Sequence, residues 1–270
     1  MKIQFLGTAA FEGIPAMFCH CELCAKAKLN RGKDIRTRTS VMIDTDLKVD
    51  FPPDTYMHML REQLDLDKLH NIIFTHSHSD HLYAEDLLTR VPGYSKYYDH
   101  RIALFGNDKV LSILNKYLST VEQDSFTLTK FLPFETYQVG EARVTPLLAT
   151  HDPQEDCFIL YIEKSNKVLL YGHDSGDFPD ATWEWLQGKG FDIVILECTM
   201  GYDSYRKTHM NIIAVKETKQ RMEFEGMLQP DCHVIVTHFS HNGRALHSDL
   251  EREFAEDHII VAYDGMVIEV

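Results

Sequence analysis

The chain has 270 residues, enough for one large core or two small ones. Hydrophobic residues make up 44% and charged residues 25%, an ordinary globular composition, and the apolar runs are far too short to span a bilayer. The formal net charge of −14 repels phosphate backbones at long range, so a small substrate is expected and nucleic acid is not.

The N-terminal stretch MKIQFLGTAAFEG reads as a first strand, Ile3–Leu6, followed by a tight turn that can line a site. It carries one Lys and a short apolar run, which does not match a signal peptide, so the expected location is cytoplasmic. Next comes FCHCELC, which spaces Cys19, Cys21 and Cys24 as C-x-C-x-x-C. A structural zinc needs four closed ligands, so a fourth must come from elsewhere. His241 is the best candidate. His20 lies inside the cluster, but two adjacent residues seldom both reach one ion. The remaining cysteines, Cys157, Cys198 and Cys232, stand alone in apolar stretches and read as core. Lys26 to Arg38 is the densest basic stretch, and it is short and interrupted by polar residues.

Strand-like runs follow at Ser40–Ile43 and Leu47–Asp50, then a helix over Asp54–Leu64. The strand Ile72–Thr75 leads directly into H-x-H-x-D-H at His76, His78, Asp80 and His81. Four ligand-type side chains in six residues cannot all enter a core without a partner. Neutral imidazoles and carboxylates are the usual ligands of borderline cations. One metal can take His76 and His78, and a second Asp80 and His81. The segment Tyr83–His100, with Tyr94, Tyr97 and Tyr98, is expected at the pocket rim, its rings packed against the protein.

Further strands are expected at Ile102–Phe105, Ala142–Leu148, Phe158–Glu163, Lys167–Tyr171, Ile193–Leu196, Val234–Thr237 and Met266–Val270. Helices are expected at Asn107–Leu118, Pro179–Leu186, Asn211–Glu223 and Ala245–Phe254. Strands grouped in each half with helices after them suit an α/β fold, an αββα sandwich of two mixed sheets flanked by helices. We read a single domain over 1–270; a split near Gly140 would give one sheet to each half. His151, Asp174 and His238 each follow an apolar strand, as His76 does. Together they supply a third imidazole for each metal and one bridging carboxylate.

This set, in this order, resembles the metallo-β-lactamase superfamily over nearly the whole chain. The resemblance implies that His76, His78 and His151 hold one metal. Asp80, His81 and His238 would hold the other, with Asp174 between them. Asp50, or failing it Asp44, would steady the metal-binding loop from behind the ligands. The family usually has a small residue and Gly after this Asp, whereas this chain reads DFPPD. C-x-C-x-x-C near the start and T-H-x-S-H near the end resemble the phosphoribosyl cyclic phosphodiesterase subgroup. That subgroup implies a structural zinc on Cys19, Cys21, Cys24 and His241. It also implies a lip histidine, matched by His209, which would act as general acid or orient the phosphate.

The expected function is hydrolysis of a small phosphodiester, linear or cyclic, by water activated between two divalent ions. Asp80 and Asp174 would be the carboxylates of that centre, and His209 the proton donor. The ligands suit zinc, manganese or iron. The partners expected are the small-molecule phosphodiester and, as an option, a second copy of the chain as a homodimer; no membrane is expected. Rival readings are a tRNA 3′-processing nuclease, a lactonase or thioesterase of the same fold, and a non-catalytic metal-binding protein. No Gly/Pro-rich basic arm of the kind the nuclease carries is found.

Overall fold

The computed structural model describes residues 1–96, 99–119 and 125–270. Two seven-stranded sheets are built from the two halves of the chain. The first contains β1 (Lys2–Gly7), β2 (Ser40–Ile43), β3 (Leu47–Val49), β4 (Asn71–Ile73), β5 (Ile102–Gly106) and β6 (Phe126–Lys130), with the C-terminal β14 (Val267–Glu269) returning to pair with β1. The second contains β7 (Tyr137–Val139), β8 (Ala142–Leu148), β9 (Phe158–Lys164), β10 (Lys167–Gly172), β11 (Phe191–Glu197), β12 (Leu228–Thr237) and β13 (Ile260–Val261). The halves divide between β6 and β7, a few residues before the expected Gly140, which turns β7 into β8 within the second sheet, and only β14 crosses back.

Each sheet is half antiparallel and half parallel. β14, β1, β2 and β3 pair antiparallel, then β3 to β6 run parallel. In the second sheet β10 to β13 run parallel and β7 to β10 antiparallel. The central strand β11 reads FDIVILE and is almost wholly buried, because both its faces are covered. Its side chains alternate accordingly. Ile193 and Ile195 meet Ile3, Phe5, Val41 and Ile73 of the other sheet. Val194 and Leu196 face the outer helices α4 (Asp180–Leu186), α5 (Ile212–Phe224) and α6 (His247–Phe254). On the far side α3 (Asp108–Leu118) buries Val110, Leu114 and Leu118 against Ile72, Phe74 and Leu104. The architecture is the expected αββα sandwich.

Register sets up the site. Parallel pairing places Glu197 opposite Thr237 and Gly172 opposite Leu196, so β10, β11 and β12 end along one edge. In the first sheet Val49 lies opposite Ile73, and Asp50 N–H donates to Ile73 O at 2.8 Å. Residues just beyond the carboxyl ends of these parallel strands gather at one rim, where ligands of open α/β sheets bind.

Three features differ from expectation. The edge strands β6 and β7 carry too few apolar residues to be read from pattern, because edge strands bury one face at most, and β13 is only two residues long. α1 (Glu22–Asn30) has no clear apolar stripe and buries only Leu23, Cys24 and Ala27. It starts instead from its cap, the Cys21 sulfur accepting from Cys24 N–H. α2 (Thr55–Glu62) is shorter than expected and ends at Gln63, whose φ of 53° closes the helix left-handed. No helix among the described residues is long and apolar enough to cross a membrane.

Candidate functional site

The strand ends converge. His76, His78 and His151 bring ligand atoms within 4.8 Å of one another, as do His81, His173, Asp174 and His238. Second partners fix which nitrogen each imidazole turns inward. Thr75 Oγ1 lies 3.1 Å from His76 Nδ1, Asp152 Oδ2 lies 3.3 Å from His78 Nε2, and Thr208 O lies 3.3 Å from His151 Nδ1. The inward atoms are therefore His76 Nε2, His78 Nδ1 and His151 Nε2, the last two 3.1 Å apart. In the second group His81 Nδ1 is held by Asp50 Oδ2 at 2.7 Å, which turns His81 Nε2 toward Asp174 Oδ2 at 2.9 Å and Asp80 Oδ2 at 3.3 Å. His238 Nε2 lies 3.7 Å from Asp80 Oδ2. Asp174 Oδ2 also approaches His76 Nε2 at 3.5 Å and His151 Nε2 at 3.8 Å, so this carboxylate sits between the groups.

The expected supporting Asp is Asp50. Its Oδ1 accepts from Thr75 N–H at 2.8 Å, and Lys48 Nζ donates to its carbonyl at 2.9 Å. Asp50 adopts φ of 61° without a following Gly, so DFPPD reaches the geometry by strain tolerated under dense hydrogen bonding. Lys48 is fully buried, and desolvation pulls its ammonium down to about 7. Asp44 lies elsewhere, paired with Lys164 at 2.9 Å.

Burial favours neutral His76, holding it well below its ordinary pKa. Burial alone would raise the Asp80 and Asp174 carboxyls. The imidazole of His81 beside Asp80, and those of His238 and His81 beside Asp174, more than reverse this and hold both well below the usual range. Burial works against charge on His238, yet Asp174 pushes it up to about 10. Among the described residues His76 Nε2 and His238 Nε2 are buried without a hydrogen-bond partner. Buried polar atoms are rarely left so, and imidazole nitrogens aimed at shared carboxylates are the donor set of a divalent cation. The residues fit metal.

His209 stands beside this cluster, its ring 4.8 Å from that of His151. Its Nδ1 lies 2.8 Å from Glu197 Oε1. Burial works against the charged ring, and the Glu197 carboxylate overcomes it, raising His209 above its ordinary value. Glu197 is fully buried and also accepts from Ser175 N–H and Thr199 N–H. The sequence reading missed it, although it ends β11 just as the other functional residues follow their strands. It missed His173 too, whose Nε2 meets Thr39 Oγ1 at 3.0 Å and whose ring stacks on Tyr171.

A cavity of about 510 Å³ opens over the cluster, floored by His78, Asp80, His151, Asp174, His209 and His238. The expected tyrosine rim needs correction. Tyr94 is 79% exposed and does not line this cavity, and Tyr97 and Tyr98 lie outside the described residues. Phe11 stands there instead, supplied by the turn after β1.

The cysteine cluster closes as expected. Cys19, Cys21, Cys24 and His241 bring ligand atoms within 4.8 Å of one another, with His241 Nδ1 3.5 Å from both Cys19 Sγ and Cys21 Sγ. Burial opposes the Cys21 thiolate, but N–H donation from Cys24 and then the His241 contact draw it down to about 6. A lowered thiol among converging soft ligands fits zinc. Cys157 and Cys198 are buried as core, whereas Cys232 is only partly buried against it; burial pushes Cys157 and Cys232 up to about 12, and Cys198 higher still.

Comparison with known proteins agrees with this geometry. A diphosphatase of the PhnP family superposes with a TM-score of 0.79 at 23% identity, covering 100% of this chain and 97% of its own. Zinc-bound PqqB from Methylobacterium extorquens gives 0.78 at 17%, covering both chains fully. The short form of human tRNase Z gives 0.68 at 16%, covering 100% and 99%. In sequence, 162 residues are 27% identical to an octanoyltransferase of Porphyromonas gingivalis, a match spanning 56% of this chain and 31% of that protein. The family described as the beta-lactamase superfamily domain matches residues 40–239, and the chain belongs to that superfamily, folded as a metallo-β-lactamase αββα sandwich.

Proposed function

We propose that the chain is a metal-dependent phosphodiesterase of the kind the phosphoribosyl cyclic phosphodiesterase subgroup exemplifies. His76, His78 and His151 would hold one divalent ion and Asp80, His81 and His238 a second, with Asp174 shared. Such a pair supplies a water of lowered pKa and neutralises phosphate oxygens. The chain's own residues do the rest. Glu197 fixes the His209 ring through Nδ1 and favours its protonated form, leaving Nε2 to serve the cavity that His209 lines. From there Nε2–H can protonate a departing alkoxide, which at neutral pH leaves poorly without a proton. The Glu197–His209 pair is the observation that carries this reading, because a site serving only to hold metal has no use for a braced acid on its lip.

A second reading, hydrolysis of an acyl thioester, draws support from the stretch shared with a protein named octanoyltransferase. A nuclease reading, suggested by the tRNase Z neighbour, meets the net charge of −14. The test is direct comparison of manganese- or zinc-loaded protein on bis(p-nitrophenyl) phosphate and on octanoyl-coenzyme A. We expect turnover of the diester. Turnover of the thioester with none of the diester would transfer the assignment to the acyl reading.

A further inference from the structure

The loop after β8, residues 150–157, crosses from the second sheet to the H-x-H segment of the first. Glu155, whose side chain is buried, anchors it there. Its Oε1 accepts from Ser77 Oγ at 2.6 Å, and its Oε2 accepts from Ser77 N–H at 3.0 Å and from Asn107 Nδ2 at 2.7 Å. Ser77 separates His76 from His78, so this anchor holds the backbone that carries both imidazoles. Asp152 is thereby aimed at the site. Its Oδ1 accepts from Gln154 N–H at 2.9 Å, closing a tight turn, and its Oδ2 lies 3.3 Å from His78 Nε2. Lys109, from the first turn of α3, stands 3.6 Å from Asp152 Oδ2 and 3.4 Å from Glu155 Oε1. A carboxylate and a carbonyl can only accept, so His78 donates through Nε2 to Asp152 and His151 through Nδ1 to Thr208 O. Their inner nitrogens, His78 Nδ1 and His151 Nε2, then face each other at 3.1 Å as two lone pairs, a contact that calls for a cation between them.

We propose that Asp152 is a positioning residue that sets how tightly the ion on His76, His78 and His151 is held, and that Lys109 loosens it, making this the exchangeable ion of the pair. This rests on the two-ion part of the reading above and not on which ester is cleaved. A carboxylate behind a ligating imidazole fixes its ring and raises its basicity. The two half-sites are backed unequally. His81 is backed by the fully buried Asp50 at 2.7 Å, and its set also includes the Asp80 carboxylate. The other set is three imidazoles and the shared Asp174, backed by Asp152 on a loop that reaches solvent. The Lys109 ammonium beside Asp152 offsets part of the charge that His78 would otherwise feel.

Manganese binding to the full chain tests this without any turnover. Thiolates take manganese poorly, so the cysteine cluster does not compete for it. Titration followed by electron paramagnetic resonance separates a lone ion from a spin-coupled pair. The wild type should bind two ions in steps of unequal affinity. Asp152→Asn should weaken the second step by about 10- to 100-fold and leave the first unchanged. Asn keeps an acceptor for Gln154 N–H, so the turn survives, but it offers His78 a donor in place of the carboxylate oxygen. Lys109→Met should tighten the second step by up to about fivefold, the scale of a partly exposed ion pair. In the metal-free protein, long-range proton–nitrogen NMR should find His78 protonated on Nε2, a preference that Asp152→Asn loses and a purely structural role would not move. An equal loss in both steps, together with a lower melting temperature of the metal-free variant, would make Asp152 a brace for its loop and overturn the proposal. A weaker second step in Lys109→Met overturns the part given to Lys109. If the wild type binds two ions and Asp152→Asn alters neither step, the Asp152 proposal alone fails. If the wild type binds a single ion, the two-ion reading fails with it.

Discussion

Glu197 satisfies both its oxygens before any substrate arrives: Oε1 meets His209 Nδ1 and Ser175 N–H, and Oε2 meets Thr199 N–H. A carboxylate so fully engaged cannot swing into the cavity, so its effect on chemistry passes through His209. Replacing His209 with Ala should lower turnover by about 10²–10⁴-fold for a diester with an alkoxide leaving group. The loss should be much smaller for p-nitrophenolate, which leaves unprotonated. Metal content should be unaltered in that variant. Equal losses on both leaving groups would make His209 a phosphate-positioning residue, and depleted metal would make it a ligand. At this scale the sequence was informative where residue type and spacing coincide, as in His76 to His81. It was silent about Glu197 because a single Glu after an apolar strand has no spacing signature. Only the fold of the segment after β11, which returns His209 to 2.8 Å from Glu197 Oε1, reveals what it faces.

At the scale of elements, α1 shows how a cluster of soft ligands can take the place of an apolar stripe. Its cap is Cys21, its first turn carries Glu22 and its last Lys28, all favourable to the helix dipole, but it buries little. The FCHCELC segment is held to the turn after β12 through His241, and a closed zinc would make that link part of folding. Cys21→Ser should therefore release about one equivalent of zinc and lower the melting temperature, while the surviving folded protein keeps its leaving-group preference. Unchanged zinc in that variant would rule the site out. The strands were legible wherever both faces are buried, as in FILYIEK and FDIVILE. Tyr94 misled because a tyrosine reads the same in sequence whether it lines a pocket or stands exposed.

The whole molecule brings candidate ligands from two halves to one seam: His76 to His81 follow the first sheet, and His151, Asp174 and His238 follow strands of the second. The same halves are tied behind the turn after β1 by Arg36, buried over the Phe239 ring and 2.9 Å from His247 Nδ1. Burial, and then the Arg36 cation, depress His247 to about 4. The unfolded imidazole, with an ordinary pKa near 6.5, binds a proton that the folded one refuses. Stability contributed here is present above about 6.5 and falls as pH drops toward about 4. Denaturant midpoints at pH 7 and pH 5 should therefore differ more in the wild type than in His247→Gln; an identical difference would mean that this imidazole titrates freely. One sheet from each half was readable from the order of strands, but the boundary was placed too late because the short β7 before Gly140 has no apolar pattern, and the return of β14 left no local trace in sequence.

The central claim is that the seam holds two ions sharing Asp174. Anomalous diffraction from crystals grown with zinc or manganese tests it most directly. The account predicts two peaks over the His and Asp cluster, one among His76, His78 and His151 and one among Asp80, His81 and His238, with Asp174 contacting both. A single peak there, or an ion seated between Glu197 and His209, would contradict it.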